Sequence, residues 1–348
     1  MKHYVGLDVS MKKTSICMVN EQGKIVHESE VKTDPHVLAD AIAKTGLKIE
    51  LVGFESGSLS HYLAQGFKEL AVPAVCMDAR KMNAILSIRV NKTDKNDARG
   101  IADALRTGMF SRVHEKPRES IDQGAILSMR RCFVNQRVDT KNHVRGILKT
   151  YGIRLGAVGP TRFSNTVKNH IQNHLDQLVC KTIESLLEVF DLLTQKITEV
   201  DKELLKIANQ DKDVRLLMTT QGIGPVTALT YKAEIFDPSR FPDSRTVGAY
   251  LGMTPTQYSS GETTKQGRIS KCGSSELRSL LTEAGIVVLT RSKKWSKLKA
   301  WGLKLMRKKG IKKAALAVGR KLAVIMHRML VEQKEFVWGE APTPKKVA

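Results

Sequence analysis

The chain has 348 residues, 41% of them apolar, and its 57 Lys and Arg against 35 Asp and Glu give a net charge of +22 at neutral pH. That apolar share excludes a disordered basic tail, the length predicts two or three domains, and the charge requires an anionic partner. No run approaches the roughly 20 apolar residues of a membrane span, and the opening Met-Lys-His-Tyr-Val is not a signal peptide, so a soluble, cytoplasmic protein is expected.

In chain order, Tyr4 to Leu7, Thr14 to Val19 and Lys24 to Val31 read as three strands, the last after a turn at Glu21-Gln22-Gly23. They predict an antiparallel meander. A helix from about Pro35 to Lys44, a strand from Ile49 to Phe54, a helix from about Leu59, a strand from Val72 to Met77 and a helix from about Thr93 to Leu105 follow. Three strands and then alternating helix and strand is the order of the ribonuclease-H-like fold, an α/β class.

Residues 118 to 150 read as a helix with a basic side made by Arg130, Arg131, Arg137, Lys141, Arg145 and Lys149. Ile183, Leu186, Phe190, Leu193, Ile197, Val200, Leu204 and Ile207 then alternate steps of three and four, a heptad seam that must pair with another helix. The partner is either in the same chain, as a hairpin, or in a second chain, as a coiled coil. After Asp211, Gly222-Ile223-Gly224 before a helix resembles a helix-hairpin-helix turn, open equally to a phosphate contact and to a structural role. Phe236 to Ser244 and the Gly/Ser/Thr-rich Thr254 to Gly273 read as loops, and helix resumes at about Ser275. The expected domains are 1–112 (α/β), 113–213 (helical linker and dimerisation region) and 214–332 (mainly helical), with a flexible tail at 333–348.

The charge is uneven. Residues 1–115 hold 16 basic and 14 acidic side chains, whereas the rest holds 41 and 21; Arg291 to Arg328 alone has 14 Lys and Arg, no acid, and Trp295 and Trp301 among them. Phosphate backbones are the natural counter-charge, with Lys297 and Lys308 as candidate contacts and aromatic planes available for stacking on bases. The stretch alone also suits a solvated basic helix or an acidic membrane surface.

Asp8 ends the first strand and Glu55 the fourth, strands that lie side by side in this fold, while Asp94 and Asp97 share one face at the start of a helix. Singly, each is an ordinary turn residue or first-turn acid. Together they make a candidate site for Mg²⁺, as a pair of ions acting on a phosphodiester. Five cysteines, widely spaced and without a C-x-x-C pair, suggest neither disulfides nor zinc.

Gly6-Leu7-Asp8, Phe54-Glu55-Ser56-Gly57, Lys92-Thr93-Asp94-x-x-Asp97-Ala98-Arg99, Tyr250-Leu251-Gly252-Met253-Thr254-Pro255 and Gly267-Arg268-Ile269-Ser270-Lys271-Cys272-Gly273, with Leu277-Arg278 beyond, resemble the DEDD transposases of insertion sequence family 110, which include pilin-gene invertases. The resemblance covers nearly the whole chain; Ser56 and Ser58 depart from a segment that often reads Ala-Thr-Gly-Thr, with the glutamate and Gly57 kept. It implies that Asp8, Glu55, Asp94 and Asp97 are the Mg²⁺ ligands of a RuvC-like domain and that Ser270 attacks DNA to form a phosphoserine linkage. It further implies an RNA-guided recombinase acting on element ends and target DNA as a dimer or tetramer, nucleoid-associated, with the guide RNA sharing the basic excess. From charge and position, Arg268, Lys271 and Arg278 are candidate phosphate clamps beside Ser270, as are Arg130, Arg137 and Lys141 on the middle helix. Without the resemblance Ser270 would read as a loop or N-cap serine, with Ser274 and Ser275 equally good caps.

The competing readings are a junction-resolving or hydrolytic nuclease of the same fold that leaves Ser270 idle, and a catalytically silent nucleic-acid-binding protein. An actin-like ATPase or sugar kinase also opens on Gly-Leu-Asp, but Asp8 to Thr14 lacks the glycine-rich phosphate turn it needs.

Overall fold

The computed structural model describes residues 1–88, 91–172, 175–261 and 263–339, and divides into two compact units, Met1–Lys116 and Pro117–Ala348. The tail expected from 333 lies outside the described residues from 340 onward.

The first unit is built on β1 (His3–Val9), β2 (Lys13–Asn20), β3 (Ile25–Lys32), α1 (Pro35–Ala43), β4 (Ile49–Glu55), α2 (Ser60–Glu69), β5 (Ala74–Met77), α3 (Ala79–Leu86) and α4 (Asp94–Thr107). The sheet order is β3-β2-β1-β4-β5, with β1 to β3 antiparallel and β4 and β5 parallel to β1, which is the ribonuclease-H-like order expected from the sequence. Strand side chains alternate, so the sheet buries two faces. On one, Val5, Leu7, Val52 and Phe54 meet Leu38, Ile42, Leu63 and Phe67 of α1 and α2. On the other, Cys17 and Val19 meet Ala98 and Ala102 of α4, while Met77 and Met82 join Ile101 and Leu105. Helix α3, absent from the sequence reading, starts on Asp78, whose side chain accepts from the amides of Arg80 and Lys81, and buries Met82.

The second unit contains α5 (Arg118–Thr150), α6 (Pro160–Ile171), α7 (Gln177–Gln210), α8 (Lys212–Met218), α9 (Pro225–Ile235), α10 (Thr246–Tyr250), the hairpin β6 (Pro255–Ser260) and β7 (Thr263–Ile269), α11 (Ser275–Thr290), α12 (Lys297–Lys309) and α13 (Ile311–Glu332). The heptad seam is filled within the chain: Ile183, Leu187, Phe190, Leu193, Ile197, Leu204 and Ala208 are the buried residues of α7, which packs on α5, α6, α8 and α9. Leu187 and Ala208 take the buried places the heptad register gives to Leu186 and Ile207. Leu127 of α5 and Leu204 of α7 share one core with Ile223, Leu229, Leu281 and Leu322, so part of the stretch read as a linker is built into the helical unit that follows.

The hairpin corrects the reading of Thr254 to Gly273 as loop. Its strands are exposed along nearly their whole length, so neither carries the apolar alternation that marks a strand in sequence. The glycine turn at Gly222 is structural in its packing: its φ is +81°, and a Cβ there would come within 2.9 Å of the Ala284 carbonyl oxygen on α11. Among the described residues no helix is long and apolar enough to cross a membrane.

Candidate active site

Two glycines bring helix α4 onto the sheet. A Cβ on Gly6 would lie 2.1 Å from the Ala98 oxygen and 2.5 Å from the Ala102 nitrogen, and one on Gly53 would lie 2.7 Å from Leu105 Cδ1. Gly6 and Gly53 sit opposite each other in the parallel β1/β4 pair, and two residues on, by the strand period, Asp8 and Glu55 face the same side. Asp94 and Asp97 occupy the first turn of α4, just before Ala98, behind Thr93, whose hydroxyl accepts from the Asn96 amide. Arg99 then fastens the helix to β3 through Glu28, with Nε and Nη2 at 2.6 and 2.8 Å from the two carboxylate oxygens.

Burial and neighbouring charge act on two of the carboxylates. Burial, and then the charges of Asp94 and Asp97, push the Asp8 carboxyl up to about 6. Burial, and then Asp8 and Asp97, raise that of Glu55. Asp8 and Asp97 thus belong to both groups. Lys92 pulls Asp8 and Glu55 the other way, a contribution that the sequence does not single out. A cavity of about 230 Å³ opens beside Asp8 and Glu55 against Ser10, Ser56, Ser58 and Ser60. Among the described residues no group of three or more His, Cys, Asp or Glu is drawn in tightly enough to enclose a metal ion. The donor set nevertheless suits a divalent cation: hard oxygen ligands, of which Asp8 and Glu55 are partly desolvated and repelled by neighbouring carboxylates, gain from a positive charge nearby.

In the second unit, Ser270 follows β7 on a loop locked by close backbone approach. Gly252 (φ +65°) passes so near that a Cβ would lie 2.2 Å from the Cys272 nitrogen, and one on Gly273 (φ +70°) would lie 2.3 Å from the Tyr250 oxygen. The Ser270 amide donates to the Thr254 carbonyl at 2.9 Å and the Lys271 amide to Gly252 at 3.1 Å. Arg278 Nη1 donates to the carbonyls of Leu251 and Cys272 at 2.9 and 2.8 Å, which makes it a clasp on the loop rather than a free phosphate clamp. Ser274, not Ser270, caps α11 by accepting from the Leu277 amide. The Ser270 hydroxyl has no hydrogen-bond partner among the described residues.

The other basic candidates divide. Arg130 is tied to Asp201 of α7 and Lys141 to the Val158 carbonyl at 2.8 Å, so both hold the helical fold; burial, and then Arg130, lower the Arg137 guanidinium. Arg268, Lys271, Lys297 and Lys308 are exposed. Trp301, expected as a stacking plane, packs on the core with the Lys321 ammonium 3.9 Å from its ring centre.

A model of DEDD transposases matches residues 5–153, and one described as the transposase IS116/IS110/IS902 family matches 214–300, which are the carboxylate and serine segments respectively. The chain belongs to the IS110 family of transposases. It is 27% identical over 339 residues to the transposase for insertion sequence element IS1111A of Coxiella burnetii, covering 96% of this chain and 91% of that one. It is also 27% identical to a probable family 20 transposase of Pseudomonas aeruginosa, over 80% and 83% of the two chains, and 26% identical to the transposase for IS1328 of Yersinia enterocolitica, over 69% and 71%. A T. thermophilus RuvC solved with a Holliday junction substrate aligns at 13% identity over 32% of this chain and all of that one, with a TM-score of 0.25, at which nothing further follows.

Proposed function

We propose that this IS110-family transposase cuts and rejoins DNA through a covalent phosphoserine at Ser270. The observation that carries the reading is the contrast between neighbouring serines: Ser274 is committed to a helix cap, while Ser270, on a loop held by backbone hydrogen bonds to Thr254 and Gly252 and by Arg278, keeps its hydroxyl uncommitted among the described residues. In the reaction the Ser270 oxygen attacks a DNA phosphorus and loses its proton, and the bond from phosphorus to one deoxyribose oxygen breaks as that oxygen takes up a proton. The linkage keeps the phosphodiester bond energy, so the reverse attack by a deoxyribose hydroxyl reseals the strand without ATP.

Asp8, Glu55, Asp94 and Asp97 would hold the divalent metal, read as Mg²⁺, for which their hard oxygen ligands are suited. Bound there, it would supply Lewis-acid stabilisation of charge developing on a phosphate oxygen. The exposed cations Arg268 and Lys271 flank the serine and would hold the strand on either side of it.

The substrates in this reading are element ends and target DNA, with a guide RNA as a further partner for the basic second unit. A homodimer or tetramer is supported by Leu178, Val189 and Leu192, exposed along one line of α7. Supercoiled DNA carrying the element ends, quenched in denaturant, should leave a protein–DNA adduct with wild type and with Ser274→Ala and none with Ser270→Ala. Cleavage without an adduct in any of the three would instead identify a hydrolytic nuclease. Sequencing of nucleic acid copurified with the protein tests the guide: an RNA matching the flank of the gene is expected.

A further inference from the structure

The second unit contains a cavity of about 440 Å³ lined by Arg245, Thr254, Arg320, Lys321, Val324 and Ile325. Three of these six residues are cations and none is acidic. Arg320 has no carboxylate or carbonyl partner among the described residues, although it is partly buried on α13. Its stem lies over Gly248, where a Cβ would come within 3.1 Å of Arg320 Cγ and 3.9 Å of Thr254 Cγ2. The missing side chain at Gly248 leaves the space that lets the guanidinium reach the cavity. The other cations are differently placed: Lys321 lies on the Trp301 ring, and Arg245, exposed at the rim, is 3.2 Å from Asp243. Val324 and Ile325 supply an apolar floor. An unpaired guanidinium above such a floor suits a ligand with an anionic group joined to a flat or apolar body.

The cavity is also joined to the serine loop, because Thr254, one of its walls, accepts the Ser270 amide proton at 2.9 Å. Its volume falls within the roughly 300–1,000 Å³ of small-ligand sites, room for a nucleotide but not for a duplex. We propose that this cavity seats one nucleotide of the DNA strand beside the phosphodiester presented to Ser270, with Arg320 on its phosphate and Val324 and Ile325 against its base or sugar. The identity of that nucleotide rests on the reading of Ser270 as nucleophile; occupation of the cavity by DNA does not.

The test uses the full chain carrying Ser270→Ala, so that no covalent chemistry intervenes, and forked DNA of the element end with 5-iododeoxyuridine at successive positions. Irradiation should crosslink peptides spanning 245–254 or 320–325 from one or two adjacent positions. Added Arg320→Gln should lower crosslink yield and DNA affinity about tenfold, as expected for loss of a charge-assisted contact, with the melting temperature unchanged. Arg245→Gln, exposed and harmless to folding, should lower the yield severalfold. A parallel arm uses RNA of the same sequence with 5-iodouridine. Crosslinks to these peptides from RNA alone, or DNA crosslinks and affinity indifferent to both substitutions, would overturn the proposal. If Ser270→Ala itself still formed adducts, the nucleophile would be wrong while crosslinks at the cavity would still stand.

Discussion

Gly6 and Asp8 lie on one side of the same strand, and this two-residue period gives each a role the other needs: Gly6 lets α4 touch the sheet, and α4 carries the carboxylates that act on Asp8. Gly6→Ala should therefore destabilise the protein by about 2 kcal/mol or more, because the Ala98 carbonyl is backbone and cannot rotate away; a melting curve checks it. Asp8 gives a pH prediction. Its folded pKa is raised to about 6 from the ordinary 3.8, so its contribution to stability is fully present below about 4 and is lost as pH rises through 6. Without divalent cation, Asp8→Asn should melt at increasingly higher temperature than wild type as pH rises from 4 to 7, and added Mg²⁺ should stabilise wild type more at pH 7 than at pH 5. A gap independent of pH would show that Asp8 is not the strained carboxylate. Asp8→Asn should also lower strand cleavage by more than about a hundredfold while leaving DNA affinity nearly intact.

At the scale of elements, the serine loop depends on contacts between distant segments. Arg278 of α11 joins Leu251 to Cys272, so Arg278→Met should slow adduct formation about tenfold or more while DNA affinity in a filter-binding assay changes less than threefold. Equal losses in both would return Arg278 to the role of phosphate contact. The strands of the first unit were legible in the sequence because Val5, Leu7, Val52 and Phe54 alternate with residues facing the other layer. Helix α3 was missed although Asp78 gives it a cap, since eight residues with one buried side chain leave little periodicity to read. The β6/β7 hairpin was missed for a related reason: exposed on both faces, it has no apolar side. Of the candidate site, the four carboxylates and Ser270 are named from residue type and motif. Lys92, the clasp of Arg278 and the commitment of Arg130 to Asp201 are not, because a cation facing a carboxylate or a carbonyl across many residues of chain looks in sequence like any other lysine or arginine.

Across the whole molecule, the +22 charge is unevenly placed. Residues 1–115, nearly balanced, contain the four carboxylates proposed to hold metal; the basic remainder contains the serine loop and the cavity under Arg320. Nucleic-acid affinity should accordingly fall steeply with salt, by about a thousandfold between 50 and 200 mM if six or more phosphates are contacted, and the slope should survive Asp8→Asn and Ser270→Ala alike. Mass spectrometry of the Ser270 peptide, after reaction with element-end DNA and exhaustive nuclease digestion, tests the phosphoserine mechanism most directly. A nucleotide mass on Ser270, absent from Asp8→Asn protein, is the predicted result; cleaved DNA with every serine unmodified would contradict it.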